Sequence, residues 1–155
     1  MRKTAFAGLL RHSALTNIVA FALLSSAVVA HASGPSFPLT TKSPEARRLA
    51  DEAVNLFFER LATPAAISKL HEAIAADAQF AMAHQLLAII SMDTAEQIAE
   101  QQKAFATRQF ASSAERAAIQ WHQDSVDRNS IDAITGMNEI LREYPQDKLV
   151  VYMCV

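Results

Sequence analysis

Residues 66–84, AISKLHEAIAADAQFAMAH, contain the pattern that decides the fold. Apolar side chains recur three and four positions apart before Asp77, which places them on one face of a helix. Residues 77–80 form a polar break, and a second apolar stripe then begins at Ala83 and continues to Ile90. The stretch therefore predicts two helices joined by a tight turn.

Helix start signals flank this stretch in both directions. Ser43-Pro44-Glu45 and Thr63-Pro64 place a hydroxyl residue before a proline, which is typical of the first turn of a helix. Asp93-Thr94 and the segment from Ser112 to Glu115 offer further caps. With three glycines and five prolines in 155 residues, few positions interrupt these helices. We predict six helices, at about 44–61, 64–76, 81–91, 95–110, 114–126 and 131–143, with a further apolar run at 149–155, and no β-hairpin.

A repeat connects distant parts of this helical chain. Ala66 is followed by apolar or small residues four, seven and twelve positions later, and Ala133 is followed by the same pattern, ending at Pro145. The two frames lie 67 residues apart, which is close to two periods of about 34 residues. A small residue permits close helix crossing, and the apolar residues after it face inward. This spacing indicates a stacked array of helix pairs.

The segments 66–84 and 133–145 resemble the tetratricopeptide repeat, with its small residue, its aromatic position and its terminal breaker. The resemblance covers about residues 44–155. It implies an all-α fold in which antiparallel helix pairs stack as a short α-solenoid of about three repeats. An unrelated helical bundle is the alternative.

The resemblance also implies a partner-binding groove lined by the first helix of each pair. Its expected occupant is a protein or peptide, extended or helical, with an apolar anchor and a basic flank. The alternative is that Leu86, Ile89 and Met92 contact a neighbouring helix instead. The predicted groove residues are Arg48, Asp51, Asn55, Phe58, Met82, Gln85, Leu86, Ile89 and Met92.

The N-terminal segment is typical of a secretory signal peptide. It has basic residues at its start, an apolar stretch from Ala14 to Ala30, and a small-residue cleavage site at Ala30-His31-Ala32. We expect cleavage near Ala32, and an uncleaved anchor is the alternative. Residues 33–43, which contain Gly34 and two prolines, are predicted to be a linker. The protein is then exported, periplasmic or secreted, and free of the membrane after cleavage.

Charge and cysteine content restrict the possible partners. Removal of residues 1–32 takes away three basic residues and leaves eleven basic and sixteen acidic ones, a formal charge of −5. Nucleic-acid binding requires a basic surface, so we expect no nucleic-acid partner. The single cysteine, Cys154, has no second cysteine to pair with inside the chain. Packing must therefore hold the domain together.

The sequence contains no arrangement that indicates catalysis. His71, His84 and His122 lack the spacing of metal ligands, and the chain has no glycine-rich phosphate loop and no nucleophile elbow. We therefore expect neither an enzyme nor a bound cofactor or metal. The adjacent pair Trp121-His122 could stack on a ligand, or Trp121 could fill a gap between helices.

These observations favour a non-catalytic interaction or scaffold module of the cell envelope. The alternative is the helical N-terminal part of a larger exported enzyme or assembly factor. The apolar run that ends at Val155 predicts either a truncated domain or self-association through this end, because the last repeat of a solenoid needs a cover.

Overall fold

The computed structural model describes residues 34–154. The predicted signal peptide at residues 1–32 lies outside the described residues. Within the described part the chain is all-helical, without strands, and its elements are α1 (Pro44–Arg60), α2 (Thr63–Ala76), α3 (Ala81–Ile90), α4 (Thr94–Thr107), α5 (Ser113–Val126), α6 (Ser130–Glu143) and α7 (Lys148–Met153). None of the helices between residues 34 and 154 is long and apolar enough to cross a membrane.

Predicted caps begin three of these helices, α1, α4 and α5, whereas Thr63 lies inside α2, whose N-cap Ala62 makes no side-chain hydrogen bond. The Ser43 side chain accepts a hydrogen bond from the Ala46 amide, and Asp93 accepts from the first amides of α4. Ser112 and Glu115 form a reciprocal capping box at the start of α5. These side chains satisfy backbone amides that have no partner inside the helix. Local sequence therefore accounts for the positions of the helix starts.

The end of α4 differs from the prediction. We expected a helix to Phe110, but the α-helix ends at Thr107 and a 3-10 turn covers Arg108–Phe110. The Thr107 hydroxyl donates to the Lys103 carbonyl at 2.7 Å, and the Arg108 guanidinium lies 3.4 Å from the centre of the Phe105 ring. These local contacts accompany the tightening of the last turn.

Helices that are adjacent in sequence pack as pairs, α1 with α2, α3 with α4, and α5 with α6. The predicted repeat frame describes their contacts. The buried residues of α2 are Ala66, Leu70 and Ala73, and those of α6 are the corresponding Ala133, Met137 and Ile140. The same spacing therefore buries the same positions in the first and third pairs.

The middle pair keeps the spacing but changes the chemistry. Ala50 and Ala66, which are both fully buried in the first pair, correspond 34 residues later to His84 and Glu100. These two side chains are buried and their Nδ1 and Oε2 atoms lie 2.5 Å apart. A hydrogen-bonded pair of polar side chains therefore occupies the positions where the first pair has two small residues.

Helix α3 is the centre of the fold, because nine of its ten residues are buried. Its polar residues His84 and Gln85 are buried as well as its apolar ones. A helix that is buried on all sides has neighbours around its whole circumference. Because of this burial, the predicted groove residues Met82, Gln85 and Leu86 do not face solvent.

We expect Gly136→Ala to stabilise the fold. Gly136 lies inside α6, and a methyl group built there would meet no heavy atom within 4 Å. Alanine loses less backbone entropy than glycine on folding, so the free energy of unfolding should rise by about 0.5–1 kcal/mol. Urea unfolding followed by circular dichroism measures this change. A decrease would mean that the packing around α6 is tighter than described.

Candidate functional site

The short helix α7 lies against α1 and α3. These are the first helices of the first two pairs, which were predicted to line a groove. The Tyr152 ring packs edge-on against Phe57 and Phe58 of α1, with ring centres 5.2 Å and 4.9 Å apart. Leu149 and Tyr152 border the same small cavity as Leu86 and Ile89 of α3. We call this apolar surface of α1 and α3 the α1–α3 groove. Its occupant in the structure is the chain itself.

Helix α7 covers the α1–α3 groove in part, because Tyr152 contacts both Phe rings but keeps 37% of its surface exposed. The cavity that remains between them measures about 10 Å³, which is the space of about one water molecule. At the edge, Lys148 Nζ donates to Glu59 Oε1 at 2.7 Å, and this hydrogen bond lowers the pKa of the Glu59 carboxyl. Both groups are more than half exposed, so the ion pair orients α7 more than it stabilises it. The apolar contacts of Leu149 and Tyr152 therefore hold α7 in the groove more than the ion pair does.

Residues 34–43, which we call the N-terminal strap, pack across the helices although they form no helix. Phe37 and Leu39 are buried, and the Phe37 ring meets Tyr144 edge-on at 5.3 Å. Arg47 donates to the Leu39 carbonyl at 2.7 Å. The prediction of a linker agrees with the irregular backbone, but it missed this packing. The alternation of Phe37, Pro38 and Leu39 was the available signal.

Three carboxylates from three different parts of the chain bind the strap. Glu115, which is fully buried, accepts from the Thr40 amide at 2.6 Å and from the Ser112 amide at 2.7 Å. Asp147 accepts from the Phe37 amide at 2.8 Å and also caps α7. Asp77 accepts from the Thr41 hydroxyl at 2.5 Å. The strap is therefore tied to the α2–α3 turn, to the start of α5 and to the start of α7.

Asp77 and Glu100 are two carboxyl groups, each partly withdrawn from solvent, whose hydrogen bonds favour the charged form. Burial opposes ionisation of Asp77, but hydrogen bonds from Thr41 and from backbone amides outweigh it and lower its pKa. Burial likewise opposes ionisation of Glu100, and hydrogen bonds from Lys103 and His84 outweigh it and lower its pKa. Both groups therefore stabilise the folded state in their ionised form.

The structure does not bring the nine predicted groove residues together on one open surface. Met82 and Gln85 are fully buried and Leu86 is 5% exposed, so the prediction that these three face an open groove is wrong. The reason is that α3 is surrounded on all sides. Sequence periodicity alone cannot distinguish a groove face from a buried face on such a helix.

The remaining predicted groove residues are distributed over the surface. Arg48, Asp51 and Asn55 are exposed on α1, where Arg48 pairs with Glu45 and Glu52. Phe58 and Ile89 are half-buried and border the cavity next to α7. Met92 is 82% exposed, just after the end of α3. Their role in binding a partner stays a prediction.

The three histidines of the described chain have separate surroundings. His71 lies 3.1 Å from Glu96, His84 pairs with Glu100, and the His122 Nδ1 atom lies 2.6 Å from the Gln85 amide nitrogen. Between residues 34 and 154, no group of three or more His, Cys, Asp or Glu side chains is placed to hold a metal ion.

The apolar run after Asp147 packs in part against the rest of the chain, since Leu149, Val150 and Met153 are buried.

Compared with known proteins, the chain matches no protein-family model, no curated protein and no solved structure. Its function must therefore be inferred from the sequence and from the geometry of the described residues.

We expect Glu115→Gln to loosen the strap and destabilise the fold. The carboxylate accepts from two backbone amides, whereas a glutamine would place an NH₂ group against one of these donors. A buried donor left without a partner costs about 1–3 kcal/mol, which is the expected loss in the free energy of unfolding. Denaturant unfolding measures it, with the exposed Glu139→Gln as a matched control. Equal stability of the two variants would contradict the role of Glu115.

Acid should destabilise the protein through Asp77 and Glu100. Their pKa values are lower in the folded state than in the unfolded chain. Their contribution is therefore complete above the unfolded pKa values of about 4 and is lost as the pH falls through the folded ones. Urea unfolding between about pH 3 and pH 7 should show this decline. Asp77→Asn should make the decline shallower, and the surface substitution Asp51→Asn should not.

Proposed function

We propose that this protein is a non-catalytic interaction module of tetratricopeptide-like helix pairs, and that it binds an amphipathic helix of a partner protein in the α1–α3 groove. The observation that carries the proposal is the position of α7, a short helix of the chain's own sequence seated in that groove. Amphipathic helices bind apolar grooves in this way, through anchors three or four positions apart.

The contacts of α7 define what the groove accepts. Leu149 and Tyr152, three positions apart, supply the apolar anchors, and Lys148 supplies a basic group opposite Glu59. This is the combination of apolar anchor and basic flank that the sequence led us to expect of a partner. A partner helix with the same features would compete with α7 for the groove.

The repeat itself supports the choice of family. The α2 and α6 frames bury the same three positions, and the first two pairs are in register at a spacing of 34 residues. Tetratricopeptide arrays are built from units of this length and generally bind partners on the surface formed by the first helix of each pair. Helices α1 and α3, which form the groove, are first helices.

We expect the Tyr152→Ala full-length chain to bind a helical peptide more tightly than the wild type does. The probe is a fluorescein-labelled peptide with the sequence of residues 145–153. In the wild type α7 occupies the groove, so only the fraction of molecules with α7 released can bind the probe. Loss of the aromatic anchor should increase this fraction and the apparent affinity by about tenfold, as measured by fluorescence polarisation.

The matched control for this experiment is Val151→Ala, which changes an exposed neighbour on the same helix. It should bind the probe as the wild type does. A second probe with alanine in place of its tyrosine should bind Tyr152→Ala weakly. If Tyr152→Ala keeps its helical circular dichroism and still fails to bind the original probe, the groove is a core contact and the proposal is wrong.

Export to the cell envelope is the second part of the proposal, and it rests on the sequence of residues 1–32. We expect the protein purified from the envelope fraction to begin near Ser33. Its mass and N-terminal sequence measure this. A protein that retains Met1 to Ala32 would favour the anchored alternative.

A further inference from the structure

A second cavity, of about 480 Å³, lies between α3, α4 and α5. Its size is within the range of small-ligand pockets. Five of its ten lining residues are polar, and four of these five are glutamines. We call it the glutamine pocket and define it by Gln97, Gln101, Gln102, Gln123, Trp121 and His122.

The glutamine pocket has no charged side chain in its lining. Its apolar walls come from residues such as Ile98 and Val126, which are more than half exposed around the opening. Burial lowers the pKa of His122, so its imidazole is neutral at physiological pH. A ligand that carries a full charge would lose hydration there without gaining an opposite charge. The pocket therefore suits a neutral ligand.

His122 presents a hydrogen-bond donor to this space. Its Nδ1 atom accepts from the Gln85 amide nitrogen at 2.6 Å. A neutral imidazole that accepts at Nδ1 carries its proton at Nε2. The Nε2 atom has no hydrogen-bond partner among the described residues. Unlike the Oε1 atoms of Gln85 and Gln101, it is not sealed from solvent. His122 lines the glutamine pocket, so this unpartnered donor is available to a ligand bound there.

The glutamines around the pocket are not arranged for stability alone. The Oε1 atoms of Gln85 and Gln101 are sealed from solvent without a hydrogen-bond partner. Each such acceptor costs about 1–3 kcal/mol, which an apolar side chain at the same position would avoid. The Gln101 Nε2 atom lies 3.5 Å from Gln123 Oε1. Gln123 Nε2 donates to Asp127 Oδ2 at 2.9 Å. The glutamines between α3, α4 and α5 are thus kept at a cost in stability, although these two sealed oxygens lie out of a ligand's reach.

We propose that the glutamine pocket binds a neutral saccharide, which packs an apolar ring face on Trp121 and hydrogen-bonds to His122 Nε2 and to the glutamine carboxamides. Hydroxyl groups both donate and accept, and so do carboxamides, so each can satisfy the other in either direction. Trp121 is half-buried and offers one large flat surface. An acetamido carbonyl on the sugar would be a good acceptor for the Nε2 hydrogen of His122.

This proposal is independent of the α1–α3 groove. Ile89 borders both cavities, and for that reason no test of the glutamine pocket changes it. The pocket can fail as a saccharide site while α7 still competes with a peptide, and the converse also holds.

Trp121, the single tryptophan, reports binding directly. The experiment titrates the full-length chain with N,N′-diacetylchitobiose and follows tryptophan emission. The comparison probe is chitobiose, which has the same rings but carries free, positively charged amines. We expect a saturable change with the acetylated sugar and at least about tenfold weaker binding of the charged one.

Two variants locate the site. His122→Asn keeps an acceptor for Gln85 at the Nδ1 position but places no donor at the Nε2 position, and Gln102→Ala removes an exposed carboxamide from the rim. Each should weaken binding of N,N′-diacetylchitobiose about fivefold to tenfold. The matched control is Gln120→Ala, an exposed glutamine of α5 outside the pocket, which should bind as the wild type does.

Several results would overturn the proposal. They are the absence of a saturable change with N,N′-diacetylchitobiose, equal affinity for the charged sugar, and unchanged affinity in both pocket variants. Circular dichroism shows whether each variant is folded. Gln102→Ala changes an exposed side chain without a hydrogen bond to the described residues, so it keeps the test decisive if His122→Asn does not fold.

Discussion

The carboxylate of Asp147 joins the two ends of the described chain. One of its oxygens caps α7 by accepting from the Leu149 amide at 2.9 Å, and the other accepts from the Phe37 amide of the N-terminal strap at 2.8 Å. Because a single side chain begins α7 and holds the strap, the two elements that cover the first helices depend on each other. Asp147 therefore links the helix that lies in the α1–α3 groove to the N-terminal strap.

The helices and the repeat could be predicted from sequence because both are local. Caps such as Ser43 and the Ser112–Glu115 box fix helix starts within a few residues, and the Ala66 and Ala133 frames fix which faces are buried. The covering of the groove could not be predicted in this way. The contact of Tyr152 with Phe58 joins residues 94 positions apart, and no local pattern specifies it. The burial of Met82 and Gln85 was missed because α3 has no solvent-exposed face. Its sequence therefore does not show which positions face a neighbour and which face an open groove.

The middle helix pair combines the geometry of the first pair with different chemistry. His84 and Glu100 occupy the positions of two buried alanines in the first pair, and the second ring nitrogen of His84 lies 3.1 Å from the Ala78 carbonyl. Burial of such polar groups is costly unless their remaining hydrogen bonds are made, and here Lys103 donates to Glu100 and the Ala78 carbonyl lies next to His84. The adjacent Gln85 connects this pair to His122 and so to the glutamine pocket. The second helix pair thus holds buried polar side chains at positions that are apolar in the first pair.

The most direct test of this account is the environment of Tyr152 in solution. The chain contains two tyrosines, Tyr144 and Tyr152, so fluorotyrosine labelling gives two ¹⁹F signals. We predict that the Tyr152 signal of the free protein differs from that of the unfolded chain, because the ring packs on Phe57 and Phe58, and that it moves towards the unfolded value when a competing helical peptide is added. The Tyr144 signal, from a ring that packs on Phe37, shows whether the strap moves with α7. A Tyr152 signal that already has the unfolded value without the peptide would contradict the packing of α7 in the α1–α3 groove.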